Sequence, residues 1–132
     1  MTMTHTVVGF GVDVVEIAEF DRIPFEDNRA FYERCFSAEE IKYCRSRAAP
    51  AEHFAARYAA KEAAVKAVSS ITSLLPWHVE VTRVASGGTH LRFWDEARSG
   101  SRGELAGHRA FVSLSHSQSV ATAVVMLCRE SA

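Results

Sequence analysis

A chain of 132 residues that is 48% hydrophobic reads as one domain, residues 1–132, with enough apolar surface to bury a core of its own. Its formal net charge of −1 gives no support to non-specific nucleic-acid binding, and no apolar run is long enough to span a membrane. Cys35, Cys44 and Cys128 are scattered and odd in number, and the histidines lack metal-ligand spacing, which argues against a disulfide framework or a zinc site and for a reducing, cytoplasmic setting.

Met1 to Thr6 lacks the basic and apolar regions of a secretory signal. Val7 to Val15 (VVGFGVDVV) is a β-branched run with glycines at alternate positions, which predicts a buried strand whose backbone is closely approached by another element. Asp13 is the sole charge in that run. An acid inside an apolar strand is costly unless it is paired, hydrogen-bonded or bound to a cation, although at a strand's end it could instead cap the next helix.

Glu16 to Arg22 reads as a short helix broken by Pro24, and Asp27 to Arg34 as a second one capped by Asp27 or Asn28. Ser37-Ala38-Glu39-Glu40 has the spacing of a capping box and launches a helix through about Arg47, with Ile41 and Cys44 turned inward. After Pro50 comes the firmest helix of the chain, Phe54 to Val68 (FAARYAAKEAAVKAV), rich in alanine and free of Gly and Pro. Ala55, Ala59, Glu62 and Lys66 fall along one stripe of it, Arg57 and Lys61 lie on the flank, and Phe54, Tyr58, Val65 and Val68 supply apolar anchors. A row of alanines beside one acid and several bases suits a polyanion with a metal ion. The ordinary alternative is a solvated Glu62–Lys66 pair at i,i+4, worth about 0.2–0.5 kcal/mol.

In the second half His78 to Ala85 and Thr89 to Trp94 alternate in strand fashion around Gly87-Gly88, which predicts a hairpin. Asp95 to Gly107 is polar and reads as a loop with some helix. Ala110 to Leu114 and Val120 to Leu127 are two more strands, joined by the polar turn Ser115 to Ser119 that holds His116. His116 is either a surface-loop histidine or a phosphate contact at the mouth of a cleft. The order of strand, helices, then a run of strands points to an α+β fold: an N-terminal strand, several helices including the central alanine-rich one, then a mostly antiparallel sheet.

Gly11-Val12-Asp13 followed, after a long spacer, by Tyr58-Ala59-Ala60-Lys61-Glu62-Ala63-Ala64-Val65-Lys66 resembles the two-part signature of 4'-phosphopantetheinyl transferases. The short length, the Phe36-Ser37-x-x-Glu40 segment and the late Ser113-Leu114-Ser115-His116-Ser117 are similar to the small bacterial holo-acyl-carrier-protein synthases. The resemblance covers nearly the whole chain. It implies a Mg²⁺-dependent transfer of 4'-phosphopantetheine from coenzyme A to a serine of an acyl carrier protein, with release of adenosine 3',5'-bisphosphate. It further implies Asp13 and Glu62 as metal ligands, Lys61 and Lys66 on the diphosphate, and Arg57 and His116 on the nucleotide phosphates. Asp13, Glu62 and Lys66 would then carry catalysis, with the serine proton passing either to Glu62 or to a water held on the metal. A homotrimer with clefts between neighbouring subunits belongs to the same expectation.

The chain departs from the family pattern at three places. Tyr58 stands where Phe or Trp is usual, Ser69-Ser70-Ile71-Thr72 replaces a Gly-Thr-Gly turn, and Glu19 stands where an arginine often meets the carrier protein. Reversing a charge at a docking surface alters association rate or partner choice, so a specialised polyketide or lipid-pathway carrier fits as well as a fatty-acid one. A catalytically weak relative kept as an oligomeric coenzyme A or carrier-binding module is the alternative; it would be free to lose the charged residues that are all present here. A nucleotide hydrolase of unrelated fold lacks a P-loop.

Overall fold

The computed structural model describes residues 4–131; Met1, Thr2 and Met3, part of the segment read as carrying no secretory signal, lie outside the described residues, as does the last residue of the single domain. In chain order the elements are β1 (Thr4–Glu16), α1 (Ile17–Asp21), α2 (Arg29–Cys35), α3 (Ala38–Arg45), α4 (Pro50–Ala67), β2 (Val79–Arg83), β3 (Thr89–Phe93), β4 (His108–His116) and β5 (Val120–Ser131). One antiparallel sheet has the order β1-β5-β4, and β2 and β3 form a separate hairpin, giving the expected α+β arrangement. No helix of the described residues is long and apolar enough to cross a membrane.

The contact between α4 and β1 explains the two glycines. A Cβ built on Gly9 would stand 1.8 Å from the carbonyl oxygen of Ala67, and one on Gly11 would stand 1.8 Å from that of Ala63. The strand backbone therefore touches the helix backbone with no side chain between them. Ala55, Ala56, Ala59, Ala60, Ala63, Ala64 and Ala67 are all buried, so α4 is enclosed over most of its circumference rather than along one stripe. Two residues along β1 match one turn of α4 at this contact: Gly11 opposes Ala63 as Gly9 opposes Ala67. Asp13, next on the same face of the strand, is thereby delivered to the middle of the helix.

An aromatic cluster fixes the helices against the N-terminal half of α4. Tyr32 and Phe54 approach to 4.7 Å between ring centroids, Phe36 and Phe54 to 5.0 Å, and Phe20 to 5.8 Å from Tyr58. Tyr32 donates its hydroxyl to the Ile23 carbonyl at 2.6 Å, and burial pushes its pKa up to about 12. Cys35, Cys44 and Cys128 are buried free thiols, and burial drives the first two to about 11 and about 12.

The capping box forms as the spacing predicts: Glu40 N–H donates to Ser37 Oγ at 3.2 Å while Ser37 N–H donates to Glu40 Oε1 at 2.8 Å. Other boundaries move. α4 begins at Pro50, whose fixed φ suits the first turn of a helix, so it is longer than the stretch from Phe54. Asn28 stands at the N-cap of α2 without capping it; its side chain donates to the Pro24 carbonyl at 2.8 Å instead. β1 and β5 run further than their sequence patterns, pairing from Thr4 with Ser131 to Glu16 with Val120, with a register shift between Val7 and Gly9. The face of β1 turned away from α4 is apolar and exposed: Phe10 is 64% and Val14 62% exposed, with Val12, Val124 and Phe111 beside them.

Candidate active site

α4 presents Glu62 and Lys66 one turn apart, and β1 brings Asp13 against the same region. Lys66 Nζ donates to Asp13 Oδ1 at 3.2 Å and to the Val12 carbonyl at 2.9 Å. The capping role considered for Asp13 is ruled out, since it sits inside β1 with α1 beginning only at Ile17. Lys66 turns to Asp13 rather than to Glu62, so the solvated i,i+4 pair does not form and Glu62 has no ion-pair partner among the described residues. Tyr58, one turn before Glu62, joins this group: its hydroxyl pKa is raised by burial first, then by the Glu62 carboxylate, with Asp13 adding to the effect. Asp13, Tyr58, Glu62 and Lys66 thus share one surface.

A second polar group lies on another side of the same helix. Arg57 is only 4% exposed, its guanidinium stacks 4.3 Å over the Tyr43 ring, and its buried Nε has no hydrogen-bond partner among the described residues. Arg83 stacks on the same ring at 5.0 Å. Arg57, Arg83, Tyr43, His53 and His116 line an open cavity of about 360 Å³, with Thr89 and Ser113 adding hydroxyls. His116 ends β4 instead of lying in the turn beyond it, and its Nδ1 stands 3.8 Å from Glu52 Oε2. A buried guanidinium with an unused donor, ringed by further cationic groups, is suited to an oxyanion such as a phosphate.

Arg57 and His116 are therefore brought together as expected. Sequence reasoning missed Tyr43, His53 and Arg83. His53 was within reach, being one turn before Arg57 on the same helix, whereas Tyr43 and Arg83 reach the cavity only through the packing of α3 and β2 on α4.

Lys61 requires a correction. Expected on a diphosphate, it is 1% exposed and turned into the core, where Nζ donates to Glu40 Oε1 at 2.8 Å and to the Val79 carbonyl. Glu40 is equally buried and also accepts from Val81 N–H at 2.9 Å, besides closing the capping box. The physical reason is angular: a helix buried nearly all round leaves residue 61 facing α3 and β2, and a buried ammonium must find its counter-charge there. Lys61 ties α4 to α3 and β2, and its ammonium has no free donor direction toward solvent.

Around the axis of α4, Arg57 and Glu62 project about 140° apart, five residues at about 100° each. Within one chain, then, the anion cavity and the acid pair open in different directions.

Comparison with known proteins identifies the family. Residues 9–124 match the model of the 4'-phosphopantetheinyl transferase superfamily. The chain is 38% identical over 125 residues to a holo-[acyl-carrier-protein] synthase of Geobacter sulfurreducens, covering 93% of this chain and 98% of the relative. It is 37% identical to one of Koribacter versatilis over 92% of this chain and 98% of the relative. Among solved structures, the acyl carrier protein synthase of Mycobacterium tuberculosis superposes with a TM-score of 0.69 at 30% identity, over 92% of this chain and 97% of that one. The ACPS-CoA complex of Chronobacterium ammoniagenes gives 0.71 at 27% identity over the full length of both chains. With Asp13 of β1 and Tyr58, Glu62 and Lys66 of α4 on one surface and the match running through nearly the whole domain, the chain belongs to the 4'-phosphopantetheinyl transferase superfamily.

Proposed function

We propose that this protein transfers 4'-phosphopantetheine from coenzyme A to a serine of an apo acyl carrier protein, releasing adenosine 3',5'-bisphosphate. The observation that carries the reading is the pairing of Asp13, Glu62 and Lys66 on one surface with an anion cavity built on the unpartnered Arg57 Nε. Support also comes from relatives named holo-[acyl-carrier-protein] synthase at 38% identity.

A divalent cation fits the donor set. Among the described residues no three His, Cys, Asp or Glu side chains gather as a cage, which leaves two carboxylates with room for substrate oxygens and water. That is the way Mg²⁺ is usually held, and Asp13 and Glu62 are the ligands we assign. When bound, the ion supplies charge neutralisation on the phosphoryl oxygens and orientation of the electrophile.

The chain's own groups do the rest. Arg57 and His116 hold the nucleotide phosphates, fixing the coenzyme so that its diphosphate meets Lys66 across the boundary between neighbouring subunits. Lys66, already oriented by the Val12 carbonyl and Asp13, stabilises charge as it shifts to the leaving group. Glu62, free of an ion-pair partner, receives the proton of the attacking serine.

We further assign a homotrimer as the active form. The exposed apolar face of the three-stranded sheet, with Phe10, Val12, Val14, Phe111 and Val124, is suited to burial against copies of itself. In such a ring the Arg57 side of one α4 can meet the Glu62 side of its neighbour, which brings the two halves of the site together.

The test is mass spectrometry of several apo carrier proteins incubated with the protein, coenzyme A and Mg²⁺, with an EDTA control. A metal-dependent gain of one phosphopantetheine on a carrier is expected. Coenzyme A binding with no gain on any carrier would instead favour the binding-module alternative.

A further inference from the structure

His53 lies in the anion cavity but has no part in the reading above. Its ring meets the Tyr43 ring edge-on at 5.7 Å between centroids and stands 5.9 Å from the His116 ring. Arg57, one turn further along α4, lines the same cavity with its unpartnered Nε. The charged and titratable groups facing His53 are Glu52 and Arg57 on its own helix, Arg47 before it, Tyr43 from α3, Arg83 from β2 and His116 from β4. Three arginines and a second imidazole against one carboxylate make this an imidazole in a cationic setting.

We propose that His53 is a proton-coupled ligand of the nucleotide phosphate: it lines the cavity beside Arg57 and His116, and an arriving phosphate is bound together with a proton taken up by the imidazole. This rests on the assignment of Arg57 and His116 to the nucleotide phosphates. Before binding, burial first and then Arg47, Arg57 and His116 hold the His53 pKa below its ordinary 6.5, with Glu52 opposing. A dianionic phosphate offsets the positive field of the arginines and raises that pKa, so more protons are bound in the complex than in the free protein. Binding therefore tightens as pH falls through the window that spans 6.5. Neutral His53 also presents less repulsion to Arg47, Arg57 and Arg83, whose three guanidinium groups share the Tyr43 ring.

The experiment is calorimetric titration of adenosine 3',5'-bisphosphate into the wild type, His53→Gln and His53→Phe between pH 6 and pH 8, in buffers of differing ionisation enthalpy. Glutamine keeps a polar group but does not titrate; phenylalanine keeps the contact with Tyr43. The second ionisation of the phosphate, near pH 6, is common to all three proteins and cancels from their ratios. The wild type is expected to bind roughly 10-fold more tightly than either variant at pH 6, the deficit narrowing to about threefold at pH 8, with extra proton uptake only in the wild type. The His53 ring proton resonances should titrate below 6.5 in the free protein and at higher pH in the complex. Equal pH slopes and equal proton uptake in all three proteins would overturn the proposal while leaving the transferase reading intact. Absence of bisphosphate binding to the wild type at every pH would overturn both.

Discussion

The two sides of α4 are built on opposite physical terms. Toward β1 the helix meets Gly9 and Gly11 backbone to backbone, and at that contact shape decides the fit. Toward α3 and β2 it carries Lys61 into the core against Glu40, and there the fit is decided by charge and hydrogen bonds. The first side sets how far Asp13 stands from the helix; the second sets which way the helix is turned, and so where Glu62 points. A site assembled from a strand and a helix needs both, since distance without rotation would present the wrong residue.

The shape-determined side should break hardest. Gly11→Val places a branched side chain where even a Cβ would meet the Ala63 carbonyl at 1.8 Å, so a loss of more than about 4 kcal/mol is expected, seen as failure to fold or a collapsed urea midpoint.

The charge-determined side should give way less and be repairable. Lys61→Met leaves Glu40 as a buried, uncompensated carboxylate and should cost about 3–5 kcal/mol, measured by chemical denaturation. Adding Glu40→Gln should return a large part of that loss, because the unpaired charge is gone while the amide still accepts from Val81 N–H. Additive losses would show that Lys61 acts by packing alone.

A smaller effect follows from His78 at the start of the hairpin that Glu40 anchors. The ring is 2% exposed and its Nδ1 accepts from Leu75 N–H at 3.2 Å, which only the uncharged ring can do. Burial lowers its pKa from 6.5, against a partial opposing pull from Glu96. A histidine whose folded pKa is depressed contributes stability above pH 6.5 that is lost as pH falls through the folded value. Unfolding free energy should thus decline by about 1 kcal/mol between pH 7 and pH 5 beyond that of His78→Gln.

Much of the shape-determined side was legible in the residues. Glycines at alternate positions of a β-branched run announce a close backbone approach, and the alanine-rich helix is the natural partner. The lone Asp13 marked the place where a charge is needed. The capping box at Ser37 and Glu40 was equally plain. Lys61 was not, because helical spacing fixes relative angles but not which angle faces the core, and a helix lined with alanine on most sides offers no contrast to read. Glu40 could be seen as a cap yet not as the counter-ion of a lysine on another helix. The pairing of Thr4 with Ser131 leaves no local trace either, since it depends on the whole chain between them closing. The cavity around Arg57 was half visible: His53 follows from one helical turn, while Tyr43 and Arg83 come from elements whose packing no spacing records.

The most direct test sets the two sides of the site against each other within one assembly. Arg57→Ala removes the anion half and Glu62→Ala the acid half, and each homogeneous protein should lose carrier modification by at least about 10³-fold while staying folded by circular dichroism. Co-expressed, the two should recover roughly a quarter of wild-type turnover, the share of intact sites in a randomly mixed ring of three. Recovery at that level would establish that residues about 140° apart on one helix serve one site through neighbouring subunits. A mixture as inactive as its components, beside an active wild type, would contradict it and require both halves to act within a single chain.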